Sequence, residues 1–182
     1  QEPLRTIISY SQLTQELYAD KLDEKGKQFL NFAVEGASRM RDLITDLLEY
    51  SRIEKSGNSF EPTLCNEIVK TSITNLNLPI KESKGEIVYD EMPTVMGDKI
   101  QLVQLFQNLI GNAIKYRGKL PPKISIKAIK ENNTWLFSVQ DNGIGFKPEY
   151  AEQIFLIFQR LHSKKAYKGS GIGLALCKKI VE

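Results

Sequence analysis

Apolar residues in the first third of the chain recur with the spacing of helices. The pattern predicts one helix over residues 1–19 and a longer one over 23–55, with Asp23 as the N-cap of the second. Seven positions of the longer helix step alternately by four and three residues, which is a heptad seam. They are Phe29, Ala33, Gly36, Met40, Leu43, Leu47 and Tyr50. The sequence therefore predicts a helical hairpin with a continuous apolar seam.

The longer helix would span roughly 50 Å, and the first helix can cover only part of one of its sides. Phe32, Ile44 and Leu48 widen the seam into the apolar face of a bundle. We therefore expect a second copy to complete a four-helix bundle, which makes residues 1–56 a homodimer interface. The alternative is that the seam packs on the rest of the same chain.

The pattern changes after Ser56-Gly57-Asn58-Ser59, which predicts a domain boundary near residue 57. Beyond it, predicted helices and strands interleave without a regular βαβ rhythm, which is typical of an α+β sandwich. We predict helices over 66–82, 98–116, 148–158 and 172–182, and strands over 86–89, 94–96, 123–130 and 134–140. We further expect Asn66 to cap its helix, Pro79 to disturb that helix's last turn, and Ile124, Ile126, Ala128, Trp135, Phe137 and Val139 to face helices.

Composition excludes several function classes. The chain has 182 residues, of which 41% are hydrophobic and 26% charged, and its net charge of +3 is too small to indicate nucleic-acid binding. No apolar run approaches the ~18 residues of a membrane span, so we expect no membrane contact from this chain and a cytoplasmic location, whether or not a parent protein is membrane-attached. Cys65 and Cys177 are expected to be free thiols, although a disulfide between them is possible.

A polar stripe runs along the otherwise apolar helix predicted at 98–116. Its members recur at intervals of three or four residues and therefore share one face: Gln101, Gln104, Asn108, Asn112 and Lys115. Amides suit directed hydrogen bonds or a hard cation better than plain solubility. We infer that the stripe lines a cleft, where Asn112 could offer an oxygen to Mg²⁺ and Lys115 a charge to a phosphate. An ordinary exposed stripe fits the spacing equally well.

Two glycine-rich segments follow. Asp141 ends a predicted strand just before Gly143 and Gly145, where its carboxylate could accept a hydrogen bond from an exocyclic amine, although Asp-Asn-Gly also makes an ordinary turn. The second segment leads into a helix whose amides favour phosphate, through Gly169, Gly171 and Gly173. Between them lies a polar, lysine-rich stretch with Phe155 and Phe158, a composition typical of a mobile lid closed at its base by aromatics.

In this order the motifs resemble the N, first-glycine, F and second-glycine boxes of sensor histidine kinases. They read Asn108-Leu109-x-x-Asn112-Ala113-x-Lys115-Tyr116, Asp141-x-Gly143-x-Gly145, Phe155-x-x-Phe158 and Gly169-x-Gly171-x-Gly173. These kinases share the Bergerat ATP-binding fold with DNA gyrase, the ninety-kilodalton heat-shock chaperones and the MutL repair proteins. The first 56 residues resemble the family's dimerisation and histidine-phosphotransfer hairpin, and Gln1-Glu2-Pro3-Leu4-Arg5 matches the end of its acceptor box. The similarity is to the phytochrome-like branch.

The resemblance implies ATP and Mg²⁺ as ligands. Asn112 would hold the metal, while Asn108 and Lys115, the residues expected to act in catalysis, would contact the phosphates or the metal's waters. Tyr116 would pack near the adenine or ribose, and Asp141 would bind the adenine amino group. The remaining members would be Gly143 and Gly145 in the adenine pocket, Phe155, Phe158 and Arg160 at the base of the lid, and Gly169, Gly171 and Gly173 around the phosphates.

The resemblance also implies an activity: transfer of the γ-phosphoryl of ATP to a hairpin histidine, and then to an aspartate in the receiver domain of a response regulator. Two alternatives are a catalytically silent ATP-binding or dimerisation module and a gyrase- or chaperone-like ATPase. Hydrolytic members of the superfamily tend to place a glutamate where this chain has Asn108, and an asparagine cannot act as the base for water. Transfer to histidine is therefore favoured over hydrolysis.

The chain departs from the family at both ends. The family's acceptor histidine would lie five positions before Pro3, upstream of Gln1, so we expect no phosphorylation of this chain at that site. The single histidine, His162, falls between the F and second-glycine boxes, and we expect it to be an ordinary lid or surface residue. The family also continues beyond Glu182 with strands that complete the sheet.

Overall fold

The computed structural model describes residues 2–55, 60–161, 167 and 169–182. Gln1, His162 and the predicted boundary at 56–59 lie outside this range. The helices are α1 (Glu2–Leu17), α2 (Glu24–Lys55), α3 (Cys65–Asn75), α4 (Asn77–Ser83), α5 (Lys99–Lys115) and α6 (Gly173–Val181). The strands are β1 (Glu61–Leu64), β2 (Glu86–Tyr89), β3 (Thr94–Gly97), β4 (Lys123–Glu131) and β5 (Thr134–Asp141).

The first two helices form the predicted hairpin. Asp23 caps α2 as expected, since its Oδ1 accepts the backbone N–H of Gly26 at 2.7 Å. Ala37 is only 2% exposed, whereas Phe29 and Met40 of the heptad seam are 66% and 49% exposed. Most apolar seam positions therefore remain uncovered by α1 and by the rest of the described chain, contrary to the alternative of packing within one copy.

The second part of the chain is a sandwich of helices on a sheet. Strand β4 pairs in parallel with β2 and antiparallel with β5, while β1 and β3 form a separate antiparallel pair. The core lies where α3 and α5 cover β4, and its fully buried side chains include Ile68, Ile110 and Ile126. The predicted α+β architecture, a long helical hairpin followed by an α/β sandwich, is thus confirmed.

The predicted buried face of the β4–β5 hairpin is confirmed except at its tip. Ile124 is buried, and Phe137 and Val139 pack on the core, where the Phe137 ring meets that of Phe106 edge-on at a centroid distance of 6.1 Å. Trp135 is 39% exposed and lies outside that core. It pairs with Lys130 next to the hairpin turn, at the end of the strands remote from the core.

The predicted helix over 66–82 is two helices, α3 and α4, which meet at Leu76. The restart puts Pro79 in the first turn of α4, where its missing N–H needs no partner. Asn66 is not a cap: it lies inside α3, and its Oδ1 accepts the backbone N–H of Met92 at 3.0 Å. The Asn66 side chain therefore stabilises the loop at Met92, which is distant in sequence, and does not cap its own helix.

Two further elements differ from the prediction. The helix expected over 148–158 is replaced by two single 3₁₀ turns, Pro148–Tyr150 and Gln153–Phe155. Strand β1 was not predicted, because Pro62 within it argues against a strand; its two-stranded sheet has only edge strands, where a missing N–H is tolerated.

Candidate nucleotide-binding site

Helix α5 supplies the floor of the site and is fixed at its start and along its buried side. Asp98 caps it by accepting the backbone N–H groups of Ile100 and Gln101 at 2.8 and 3.1 Å. Phe106 and Ile110 are buried in the core. The opposite side of the helix, which carries the polar stripe, is therefore held in a fixed orientation.

The stripe is not an ordinary exposed face, and it divides between two neighbours. Gln101 is only 9% exposed, and Gln104 Nε2 donates to Glu49 Oε2 of α2 at 2.5 Å. Asn112 and Lys115, further along, line a groove that also reaches α2. The first part of the stripe thus contacts the hairpin and the last part lines a cleft, a division that helical spacing alone could not reveal.

A partly open cavity of about 240 Å³ lies beside the end of α5. Its wall includes Asn112, Tyr116 and Asp141, together with the apolar Leu109 and Val139. Asp141 Oδ1 accepts the backbone N–H of Gly143 at 2.7 Å, and within the described residues its Oδ2 has no hydrogen bond. The cavity therefore offers a flat apolar ligand one carboxylate acceptor.

The first glycine segment packs directly on the carboxyl end of α5. A Cβ on Gly143 would lie 2.7 Å from the carbonyl oxygen of Tyr116, so any other residue there would force the backbone to shift. The same oxygen accepts the backbone N–H of Ile144 at 3.0 Å. Gly145, with φ +61°, lines the cavity itself. The turn after β5 is thus joined to the N-box helix by backbone contacts.

The second glycine segment forms the other wall of the groove. Asn108, Asn112 and Lys115 face it from α5, and Asp42 and Asp46 face it from α2. Two of the glycines approach α5 closely, since an added Cβ would lie 2.6 Å from Lys115 Nζ at Gly169 and 2.9 Å from Asn108 Oδ1 at Gly173. At Gly171 an added Cβ would lie 2.9 Å from the carbonyl oxygen of Gln159, in the segment that follows the second 3₁₀ turn.

An aromatic and cationic cluster connects the cavity to the groove. The rings of Tyr116 and Tyr167 lie 4.9 Å apart between centroids, and Lys115 Nζ lies 4.5 Å from the centre of the Tyr116 ring. Arg160 donates to the carbonyl oxygen of Gly169 at 2.9 Å and to that of Tyr167. Arg160 therefore ties the residues after the F box to the start of the second glycine segment.

The two F-box phenylalanines do not line the cavity. Phe155 and Phe158 are both exposed, and Phe158 has φ +66°, with its backbone N–H donating to the Gly171 carbonyl at 3.0 Å. Ile154 and Phe146 line the cavity in their place. Sequence reasoning missed both, and it missed Asp42 and Asp46; as ordinary residues of a turn and a helix face, they carried no spacing signal.

The two cysteines play no part in this site. Both thiols are free and buried, and burial raises the pKa of Cys177 to about 12 and that of Cys65 above its usual value. Over the described ranges, no group of three His, Cys, Asp or Glu side chains could hold a metal by itself, and no helix is long and apolar enough to cross a membrane.

Comparison with known proteins gives two family matches. Residues 97–182 match the family described as "Histidine kinase-, DNA gyrase B-, and HSP90-like ATPase". Residues 1–56 match "His Kinase A (phospho-acceptor) domain". The first covers α5, β4, β5 and the glycine segments, and the second covers the hairpin.

Similar proteins agree with these matches. The chain is 48% identical over its whole length to phytochrome-like protein Cph1 of Synechocystis and 47% identical to cyanobacterial phytochrome A of Nostoc, and it spans 24% of the length of each. Among solved structures, full-length ShkA superposes with a TM-score of 0.69 at 22% identity, over 99% of this chain and 38% of that one. The histidine kinase AdeS of Acinetobacter baumannii superposes with a TM-score of 0.65 at 24% identity, over 100% and 86%.

The two family matches lie in the order of a kinase core, and the relatives match the chain from end to end. The chain belongs to the sensor histidine kinases, as a catalytic core made of a phosphoacceptor-type hairpin and a Bergerat-type ATPase domain.

Proposed function

We propose that this core binds ATP with Mg²⁺ and transfers the γ-phosphoryl group to a histidine of the hairpin. One observation carries the proposal: Asn112 lines both the cavity that holds Asp141 and the groove that holds Lys115 and the three glycines. A single ligand could therefore place a base in the first and a polyphosphate in the second. The related ShkA was solved in complex with AMPPNP, which supports this assignment.

Adenine is the base that the cavity suits. An exocyclic amino group can donate to Asp141, while apolar side chains such as Leu109 and Val139 cover the faces of the ring. Tyr116 borders the same space and would pack against the base or the ribose. Gly143 and Gly145 let the backbone of the turn lie close to α5 and to the cavity, since a side chain at Gly143 would collide with the end of α5.

The groove suits a triphosphate and its metal. Lys115 and the backbone of the second glycine segment supply positive charge and N–H donors, and Gly169, Gly171 and Gly173 allow close approach. The Asn112 amide, half-buried, has no hydrogen bond within the described residues and lies between base and phosphate positions. Its oxygen is a ligand type that Mg²⁺ accepts, so the residues fit the ion, which would neutralise phosphate charge when bound.

The same residues favour transfer over hydrolysis. Asn108 occupies the position at which the hydrolytic relatives place a glutamate, and its Nδ2 donates to the carbonyl oxygen of Gln104 at 3.0 Å. An amide held in this way orients a phosphate or a water but cannot remove a proton from water. Phosphoryl transfer depends mostly on positioning and charge neutralisation, which Asn108 and Lys115 can supply. Phe155, Phe158 and Arg160 would hold the lid that covers the site.

We assign residues 1–56 to the dimerising hairpin and residues 57–182 to the ATP-binding domain. The exposed seam of α2 supports a homodimer, because two copies could bury it against each other. The related kinase ThkA was solved in complex with the response regulator TrrA, with a TM-score of 0.64 at 22% identity over 100% of this chain and 52% of that one. We infer that a receiver domain takes the phosphoryl group here too, in the cytoplasm.

Nucleotide binding is tested first, by calorimetry on this chain. We expect ATP to bind in the presence of Mg²⁺, and Asn112→Ala to weaken binding on the order of 30-fold with Mg²⁺ but far less without it, since a charge-assisted contact is lost. Asn133→Ala, which removes an amide from the distant β4–β5 turn, should bind like the parent. Equal affinity of Asn112→Ala and the parent would contradict the metal role.

Phosphotransfer is tested with γ-labelled ATP on a chain extended upstream past the position five residues before Pro3. Acid-labile label that passes to a receiver domain supports the proposal. ATP binding with no label would favour the silent module, and steady phosphate release that Asn112→Ala abolishes would favour an ATPase. Labelling of the short chain that His162→Ala removes would overturn the expectation that it lacks an acceptor.

A further inference from the structure

The main chain leaves the sheet immediately after Asp141. The last β4–β5 pair is Ile124 with Asp141, so continuation of the register would pair Lys123 with Asn142. At that rung a side chain replaces the backbone: Asn142 Oδ1 accepts the N–H of Lys123 at 2.8 Å, and its Nδ2 donates to the carbonyl of Pro121 at 3.1 Å. The ladder is thus extended by one rung while the backbone turns toward the cavity.

The segment that receives these bonds is itself anchored in the fold. Pro122 is fully buried, and its carbonyl oxygen accepts the backbone N–H of Glu86, at the start of β2, at 2.9 Å. Lys123 begins β4 and pairs with Glu86 in the parallel register. Asn142 therefore connects the turn after β5 to the interior strand of the three-stranded sheet.

The other attachment of the turn lies on its far side. Tyr116 at the end of α5 accepts the backbone N–H of Ile144 at 3.0 Å. Within the turn, Asp141 Oδ1 accepts the N–H of Gly143 at 2.7 Å, which fixes the rotation of the carboxylate relative to the turn. The direction of the remaining oxygen, Oδ2, thus depends on how the whole turn is held, between α5 on one side and Asn142 on the other.

We propose that Asn142 is a positioning residue that aims the Asp141 carboxylate at the 6-amino group of adenine and so sets base specificity. The inference rests on the proposed ATP function. A hydrogen bond to a carboxylate depends steeply on geometry, and a small rotation of the turn is enough to lose it. An asparagine that only stabilised the end of the hairpin would affect all purine nucleotides alike.

The test compares the affinity for ATP with that for purine riboside triphosphate, which lacks the 6-amino group. The parent chain should prefer ATP on the order of 10- to 100-fold, as expected when a site loses the partner of a charged acceptor. In Asn142→Ala the preference should fall to within about 3-fold, almost entirely through weaker ATP binding. Asn142→Asp, which can still accept from Lys123 but cannot donate to Pro121, should lie between the two. Asn133→Ala, the same change at the opposite end of the hairpin, should keep the full preference.

Each outcome is decisive. Equal weakening of both nucleotides in Asn142→Ala, or an unchanged preference, would overturn the positioning role while leaving ATP binding intact. A parent chain that binds neither nucleotide, or both equally, would refute the proposed adenine contact itself and this inference with it. If Asn142→Ala does not fold, Asn142→Asp decides, since its preference must fall below that of the parent.

Discussion

The hairpin and the nucleotide-binding part of this chain differ in how much of their apolar surface is buried within one copy. In α1 and α2 the buried apolar residues among those described are Ile8 and Ala37. The second part encloses a continuous core around Ile68, Ile110 and Ile126. Large apolar side chains remain exposed on the hairpin: Ile7, Tyr10, Leu13, Leu17, Tyr18, Phe29, Phe32, Met40, Ile44, Leu47 and Leu48.

This difference separates two sources of stability. A two-helix hairpin has too little interior to stand alone, so its folding should be linked to association and to protein concentration. The nucleotide-binding part packs helices on a sheet around its own core and should hold its shape in either oligomeric state. The same chain should therefore respond in separate ways to changes in the two regions.

The largest effect should come from a charge in the α2 seam. Met40→Glu would place two carboxylates, one per copy, in the proposed dimer interface, where burial of an unpaired charge costs several kcal/mol. We expect the dimer dissociation constant to rise on the order of 100-fold or more, measured by sedimentation equilibrium. ATP affinity of the resulting monomer should change little, because Met40 does not line the nucleotide cavity or the adjoining groove.

The matched control is Gln28→Glu, which adds the same group at an exposed polar position of α2 outside the seam. It should leave the dimer intact. A Met40→Glu chain that remains as dimeric as the parent would show that the seam is covered in some other way.

The next effect belongs to the nucleotide-binding part alone. Gly171 has φ +81°, and a Cβ there would lie 2.9 Å from the Gln159 carbonyl oxygen and 3.0 Å from the Phe158 carbonyl carbon. Gly171→Ala must shift backbone at the groove wall, and we expect ATP affinity to fall about 10- to 100-fold with no change in the dimer. Calorimetry and sedimentation on the same sample separate the two readouts.

Gly118→Ala is the control, since a Cβ at Gly118 meets nothing within 4 Å and its φ is not in the left-handed range. Its ATP affinity should match that of the parent. Wild-type affinity in Gly171→Ala would mean that the second glycine segment does not contact the phosphates.

The sequence predicted best what periodicity encodes. The heptad steps located α2, and the polar stripe of α5 predicted a helix buried on one side with a cleft on the other. Spacing could not show that Gln104 would turn to Glu49 while Asn112 faced the cavity, because the neighbour of each side chain is set by tertiary packing. The 148–158 region failed because its apolar residues suit a helix, while the chain makes two short turns there.

One dipeptide of the site also shows that sequence spacing does not reveal which neighbour a side chain contacts. Asn142-Gly143 is a strong turn signal, and a turn is what forms, but the sequence does not show that the Asn142 side chain would complete a sheet rung. Nor could it show that Phe158 would be exposed and absent from the cavity lining while Ile154 lines it. Motif order identified the groups of residues, and packing decided which members face the ligand.

The free energy of unfolding should depend moderately on pH through one buried thiol of the nucleotide-binding part, Cys177. Burial raises the pKa of Cys177 from 9.0 to about 12, so the unfolded chain loses this proton first. The contribution of this buried thiol to the free energy of unfolding is complete well below pH 9 and falls as the pH rises, by about 1.4 kcal/mol between pH 8 and pH 10. Denaturation of the parent and of Cys177→Ala at pH 8 and pH 10 should give that difference in slope, and parallel profiles would contradict it.

The smallest effect should be the energy that couples the two regions. Glu49 of α2 accepts from Gln104 of α5 at 2.5 Å, and Lys179 Nζ of α6 lies 4.0 Å from the ring centre of Tyr50. These contacts are few and partly solvated, so each should contribute about 1 kcal/mol or less.

A double-mutant cycle on Glu49→Ala and Gln104→Ala measures this coupling from the unfolding free energies of four chains. Each single change also disturbs other neighbours, and the cycle cancels those terms, leaving an expected interaction of about 0.5–1 kcal/mol. Coupling near zero would mean that the regions are joined only by the chain. Coupling of several kcal/mol would mean that the hairpin and the nucleotide-binding part form one cooperative unit, and Met40→Glu should then weaken ATP binding as well.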